Sequence, residues 1–382
     1  MSIDVERLRR EEFPWAAAGE SIHLNTASTG PLPSRAVRAV GDFTEKRAAL
    51  HRMSEELQFG TLARSRELLA RLIRAETSEI ALATNTSYGI NVAATSLPLG
   101  RGDVVLGIAH EFPANIYPWM AAAERRGFEF KVLPVVRGLP DEGRLLAEIE
   151  KPETKAVAIS WVEFASGYCF DLEAVGAACR RRGVTFIVDA IQGLGPATLD
   201  VGNCSIDILS CGAQKWLLSP WGTGFLFVRR DLIQSLEPVF PSWMGVRGSD
   251  DFSRLVEYDM TWRDDARRFE FITLPFQEFA GLNASLELFF ELGPTEIAAY
   301  TTTLANRIVD WAAEHRVDVV TPREPRKRAG IVSLRVPDGQ AASARLKNAG
   351  IVHSYREGAI RLAPYFFNTT TEIDRALSLL SP

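Results

Sequence analysis

Between residues 80 and 228 the chain alternates short, continuous apolar runs with longer stretches whose apolar residues recur at three- and four-residue steps. Seven runs stand out: IALAT, VVLGI, FKVLP, AVAIS, TFIVD, DILSC and GFLFV. Apolar runs of this length, bounded by glycine and polar residues, fit strands buried on both faces, and the periodic stretches fit covering helices. The last two runs are joined closely by LSPWGTG, which predicts a hairpin and hence a mainly parallel seven-stranded sheet with one antiparallel strand.

Outside this region the pattern changes. Ser34 to Ala75 reads as scaffold helices, with Val37, Val40, Phe43 and then Leu62, Leu68, Leu69 and Leu72 at three- and four-residue steps. Glu237 to Phe271 is rich in Trp, Arg and Asp, lacks periodicity and is expected to be irregular. A helix over EFAGLNASLELFFELG follows, its apolar face running through Phe279, Leu282, Leu286, Phe289 and Phe290. Beyond it, a second helix and the short runs VDVV, GIVSLRV and AIRLAP around the helical AASARLKNAG predict a small α+β domain. The expected organisation is an N-terminal segment, 1–30, packing with the small domain, a large domain over 31–275 and a small domain over 276–382.

Composition narrows the function classes. A chain of 382 residues that is 46% hydrophobic and 24% charged can bury a large core, and its net charge of −5 argues against a nucleic-acid footprint. Cys169, Cys179, Cys204 and Cys211 form no CxxC pair, so neither a zinc site nor a disulfide framework is expected. The first fifteen residues have no apolar segment of signal-peptide type and no apolar run reaches eighteen residues, which predicts a cytoplasmic protein without a membrane span.

The chemistry concentrates where strands end. Val184 and Phe186 to Val188 run into Asp189, with Gln192 three residues on, and Ile206 to Leu209 lead to Gln214 and Lys215. In open α/β sheets ligands sit beyond the carboxyl ends of the strands, so the acid and the amine are expected to share one crevice. Such a pair suits a pyridine cofactor bound through its aldehyde: the lysine forms a Schiff base, and the acid keeps the ring nitrogen protonated.

VDAIQG followed by QKWLLSPWGTGFLFV resembles the class V aminotransferases of the fold type I pyridoxal phosphate (PLP) enzymes, a family that includes cysteine desulfurases, kynureninases and isopenicillin N epimerase-like proteins. The resemblance implies PLP as cofactor, Lys215 and Asp189 as catalytic residues, and Gln192 and Gln214 as cofactor contacts. It also places a phosphate cup at the turn of ATNTSYGIN, where a helix N-terminus offers free N–H groups, and assigns it to Thr86, Ser87 and the backbone of Tyr88. In HEFPANIYPW, Phe112 takes the place of a ring-stacking residue, giving position without acid or base capacity, while His110 reads as a strand-end residue. Trp161 and Phe164 are candidate pocket walls or core fillers. RRFEFITLP aligns Thr273, with one extra residue, near a threonine that reaches the neighbouring subunit's phosphate, so a homodimer with sites at the subunit interface is implied. IHLNTASTGPLP brings Asn25 to the substrate carboxylate, and AIRLAPYFFNTT carries Arg361, whose planar fork suits an α-carboxylate better than a lysine would.

The reaction is less constrained. Transamination of a small amino acid needs little beyond the lysine, the acid and the carboxylate grip, and is the preferred reading. A kynureninase-like hydrolase, resembled by R-E-x-x-I-R-L-A-P, an epimerase and a carbon–sulfur lyase are alternatives, as is a non-catalytic PLP-binding protein. Desulfurases need a thiol on a loop shortly before the C-terminal arginine, and no cysteine follows Cys211.

Overall fold

The computed structural model describes residues 3–380. Strand β1 is a two-residue segment, Ile22–His23, ahead of the helices Ser34–Ala48 and Glu55–Ile73. The strands β2 (Ile80–Ala83), β3 (Val104–Ile108), β4 (Glu129–Leu133), β5 (Thr154–Ser160), β6 (Thr185–Asp189), β7 (Ile208–Gly212) and β8 (Gly224–Val228) form one sheet in the order β2-β8-β7-β6-β5-β3-β4. All neighbours run parallel except those of β8, which is antiparallel to both β7 and β2. The seven apolar runs are thus the seven strands, and the hairpin closes where LSPWGTG predicted it.

Continuous hydrophobicity is what a sheet covered on both faces demands. Along β6, Phe186 and Val188 enter the core on one face and Ile187 the core on the other; along β5, Val157 and Ile159 separate in the same way from Ala156 and Ala158. Helix Phe276–Leu292 buries Phe279, Leu282, Leu286 and Phe289 in the first of these cores and lies against helices Ser34–Ala48 and Glu55–Ile73. The helical stretch from Ser34 to Ala75 is two helices separated at Leu50–Arg52, and Val37 is exposed while Phe43 is buried. Of the segment expected to be irregular, residues 237–265 carry no helix or strand, whereas Ala266–Phe269 form a short 3-10 helix, and the ion pair of Arg66 with Glu270 at 2.6 Å moors its far end.

A third core belongs to a four-stranded antiparallel sheet and its helices. Its strands are β9 (Asp318–Val319), β10 (Val332–Arg335), β12 (Ser354–Arg356) and β13 (Ala359–Leu362), in the order β12-β13-β10-β9, while β11 (Ile351–Val352) leaves this sheet to pair parallel with β1. The register Ile22↔Ile351 and the bridge between Asn25 and Ala363 carry the N-terminal segment across the small sheet and on towards the lysine turn. Among the described residues no helix is long and apolar enough to cross a membrane.

Candidate active site

Asp189 ends β6 and is 2% exposed; its Oδ1 accepts the Ile191 N–H at 3.0 Å. Burial pushes its carboxyl up to about 6, against the pull of that N–H and of the Lys215 charge. Lys215 lies in the turn after β7, whose shape is fixed by Leu218 N–H donating to the Lys215 carbonyl at 3.1 Å and by Ser285 Oγ donating to the Leu218 carbonyl at 2.8 Å. Burial brings the Lys215 amine down to about 8; Asp189 opposes the shift, and Arg361 and Arg356 add to it. Its Nζ stands 5.6 Å from the centre of the Phe112 ring, which meets Phe164 edge-on at 5.3 Å. Acid, amine and aromatic face converge as the sequence implied.

The N-terminal loop closes over this turn because Gly30 has no side chain. A Cβ there would lie 2.1 Å from the Lys215 carbonyl oxygen, and the Gly30 N–H donates to the Gln214 carbonyl at 3.0 Å. Gly89 has the same role under the helix Thr86–Ser96, where a Cβ would meet Ser210 Oγ at 2.3 Å. Its absence seats the helix N-terminus directly on β7: Thr86 Oγ1 accepts the Gly212 N–H at 2.8 Å, and Ser210 Oγ donates to the Thr86 carbonyl at 2.7 Å. One expectation needs correcting. The Tyr88 N–H, assigned to an anion, is taken by the N-cap Asn85, whose Oδ1 accepts it at 3.0 Å, and the Tyr88 phenol donates to the Phe269 carbonyl. The N–H groups of Thr86 and Ser87, first in the helix, remain free of intrahelical bonds.

Gln192 is more fully engaged than a cofactor contact alone would require: its Nε2 donates to the Ala27 carbonyl at 3.0 Å and its Oε1 accepts the Trp216 indole at 2.8 Å. It ties β6, the N-terminal loop and the lysine turn together. The Gln214 side-chain oxygen folds back over Gly212. Trp161 is a core residue, packed over Gly193 and 6% exposed, whereas Phe164 belongs to the crevice. Thr273 is exposed beside Phe271, which is 55% exposed, and does not join the cluster around Lys215. His110 is exposed just past β3.

Arg361 is 1% exposed at the centre of β13. Its Nη1 donates to the Phe164 carbonyl at 2.6 Å and its Nη2 to Ser28 Oγ at 2.8 Å, with Asn25 Oδ1 and Ser354 Oγ each 3.4 Å away. Among the described residues no carboxylate pairs with it, and its Nε has no partner. Burial, with the charge of Arg356 next in weight, lowers its guanidinium to about 9. Asn25 supports Arg361 structurally: its Oδ1 accepts from Ser28 Oγ at 2.9 Å and Ser354 Oγ at 2.8 Å, holding both hydroxyls against the guanidinium. A buried cation paired, among the described residues, with neutral oxygens alone favours an anion beside it.

Two buried acids went unnoticed in the sequence. Glu111 accepts from the Ser160 backbone and hydroxyl, and burial pushes its carboxyl to about 8. Glu163, 3% exposed with Oε1 unpartnered, is raised well above the carboxylate range by burial and then by the charges of Glu111 and Asp189. Nothing local marks either as buried; only the adjacency of β3, β5 and β6 gathers them. A cleft of about 1000 Å³ in the irregular segment, lined by Trp243, Arg247, Leu255 and Tyr258 among others, shares no residue with the Lys215 cluster.

Fold and crevice together define a fold type I PLP enzyme. The family model for Aminotransferase class-V matches residues 22–372, and the chain belongs to that family. It is 28% identical over 313 residues to the uncharacterized aminotransferase YcbU of Bacillus subtilis, covering 82% of this chain and 81% of that one. It is 29% identical over 380 residues to isopenicillin N epimerase of Streptomyces clavuligerus, covering 94% of each. Among solved structures, a cysteine desulfurase from Thermococcus onnurineus in its apo form superposes with a TM-score of 0.87 at 22% identity, covering 100% of this chain and 98% of that one.

Proposed function

We propose that this class V enzyme is an aminotransferase acting on an amino acid whose α-carboxylate is gripped by Arg361. The observation that carries the reading is the buried guanidinium, without an acidic partner among the described residues, set on a strand of the small sheet and opening onto the crevice of Lys215 and Asp189. PLP, when bound, supplies an aldehyde that condenses with amino groups and a ring that takes up electron density from the substrate α-carbon. The residues fit it. Asp189 offers a buried carboxylate for the ring nitrogen, Phe112 an aromatic face, and Thr86 and Ser87 free N–H groups and hydroxyls for the phosphate.

Lys215, held near pH 8 by its surroundings, would anchor the cofactor and, once released by substrate, take a proton from Cα and return it to the cofactor side. Asp189 would stay charged opposite a protonated ring nitrogen, a pairing that offsets its burial. The four cysteines are all buried, which gives no support to thiol-based sulfur abstraction. A homodimer is part of the proposal: Trp221, next to the Gly222 that approaches Pro275, and Phe271 are 72% and 55% exposed and leave apolar surface for a second copy to cover.

The test is a panel of amino acids mixed with PLP-loaded protein. Transamination predicts conversion of the cofactor to its pyridoxamine form with release of the matching keto acid. Release of alanine from kynurenine, loss of sulfur from cystine, or inversion at Cα without keto acid would each replace the aminotransferase reading.

A further inference from the structure

Strands β12 and β13 run antiparallel with Ser354 opposite Arg361, Tyr355 opposite Ile360 and Arg356 opposite Ala359. Side chains alternate across a strand and directly opposed residues share a face, so Ser354, Arg361 and Arg356 point to one side of this sheet and Tyr355 to the other. The contacts agree. Ser354 Oγ is bonded to Asn25 Oδ1 beside the Arg361 guanidinium, and the Tyr355 ring lies over Gly339, at the start of helix Gly339–Asn348. Arg356 therefore leaves the sheet on the substrate side, one pleat repeat, about 6.5 Å, beyond Ser354.

Arg356 is exposed and, among the described residues, forms no ion pair, not even with the adjacent Glu357. Its charge nevertheless reaches inward, lowering the proton affinity of both Lys215 and Arg361. The crevice thus carries two guanidinium groups and one amine on this side, with Asp189 the carboxylate that opposes them at Lys215. One α-carboxylate would satisfy Arg361 and leave Arg356 unmatched.

We propose that Arg356 is a second anion-binding group of the substrate site and that the preferred substrate class is an amino acid with a second carboxylate of aspartate or glutamate size. The inference rests on Arg361 being the α-carboxylate anchor. The strand repeat separating Ser354 from Arg356 is comparable to the distance between the two acid groups of such a substrate, and a solvent-facing arginine can adjust to either length. The side chain that selects the substrate is then set by the tip of a β-hairpin rather than by the aromatic wall.

Calorimetric binding of glutarate and of butyrate to the PLP-loaded enzyme tests this without turnover. The wild type is expected to hold glutarate at least about tenfold more tightly than butyrate, and Arg356→Gln to collapse that ratio towards one. The ratio of kcat/KM for glutamate over glutamine should fall in parallel. Arg361→Lys should weaken both acids. If glutarate binds no better than butyrate to the wild type while Arg361→Lys weakens both, the second anion site is refuted and the α-carboxylate anchor survives. If Arg361→Lys changes neither, the underlying reading fails.

Discussion

Arg361→Lys separates geometry from charge at the proposed carboxylate grip. The guanidinium is buried and held by Phe164, Ser28 and Asn25, with no acid among the described residues to neutralise it. Lysine keeps the positive charge but loses the planar fork, so a carboxylate bound through two parallel N–H groups retains one. A hydrogen bond between charged groups contributes about 1.5–3 kcal/mol, which is about 10- to 150-fold in kcat/KM. Because the carboxylate is held in ground and transition states alike, most of the loss should fall on KM. The shorter side chain also gives up packing, so the assay pairs steady-state kinetics on the best amino acid of the panel with the visible absorbance of bound cofactor. A kcat/KM within about threefold of wild type, with the cofactor band intact, would refute the reasoning.

Other perturbations probe other parts of the crevice. Asp189→Asn removes the charge opposite the ring nitrogen and is expected to lower kcat by about 10²-fold or more while the protein still folds, checked by kinetics and circular dichroism. In cofactor-free protein the Lys215 amine is lowered to about 8 from the ordinary lysine value, so the folded state releases a proton that the unfolded state keeps between about pH 8 and 10.5. Stability attributable to this group therefore rises with pH across that window, and the rate of PLP uptake should climb below pH 8 and level off above it; a continued climb towards pH 10 would contradict the assignment. Gly30→Ala forces a methyl group to within 2.1 Å of the Lys215 carbonyl, so the N-terminal loop must shift, at a cost of about 1–3 kcal/mol seen in denaturant midpoints, with weaker cofactor retention by equilibrium dialysis.

Much of the fold could be read in advance because the physics was local. Buried parallel strands need unbroken apolar runs, and each of the seven runs from Ile80 to Val228 has become a strand. The acid and the lysine were visible because both stand where such runs stop. Other features were hidden by being non-local. Strands β11 and β12 are two and three residues long, and Val352, Tyr355 and Arg356 are exposed, too little pattern for a strand signal. The Tyr88 N–H was misassigned because Asn85 reads as an ordinary turn residue until its side chain is seen capping the helix. Glu111 and Glu163 carry charge, which in sequence reads as surface, and only the packing of adjacent strand ends buries them together. The partners of Asn25 were hidden in the same way, since its bonds to Ser354 and Arg361 span the length of the chain.

Covalent mapping of the cofactor bears most directly on the account. PLP-loaded protein reduced with borohydride and digested should yield a single pyridoxyl-bearing peptide, modified at Lys215, and the Lys215→Ala protein should yield none. A label on another lysine, or loading and turnover that persist in Lys215→Ala, would contradict it.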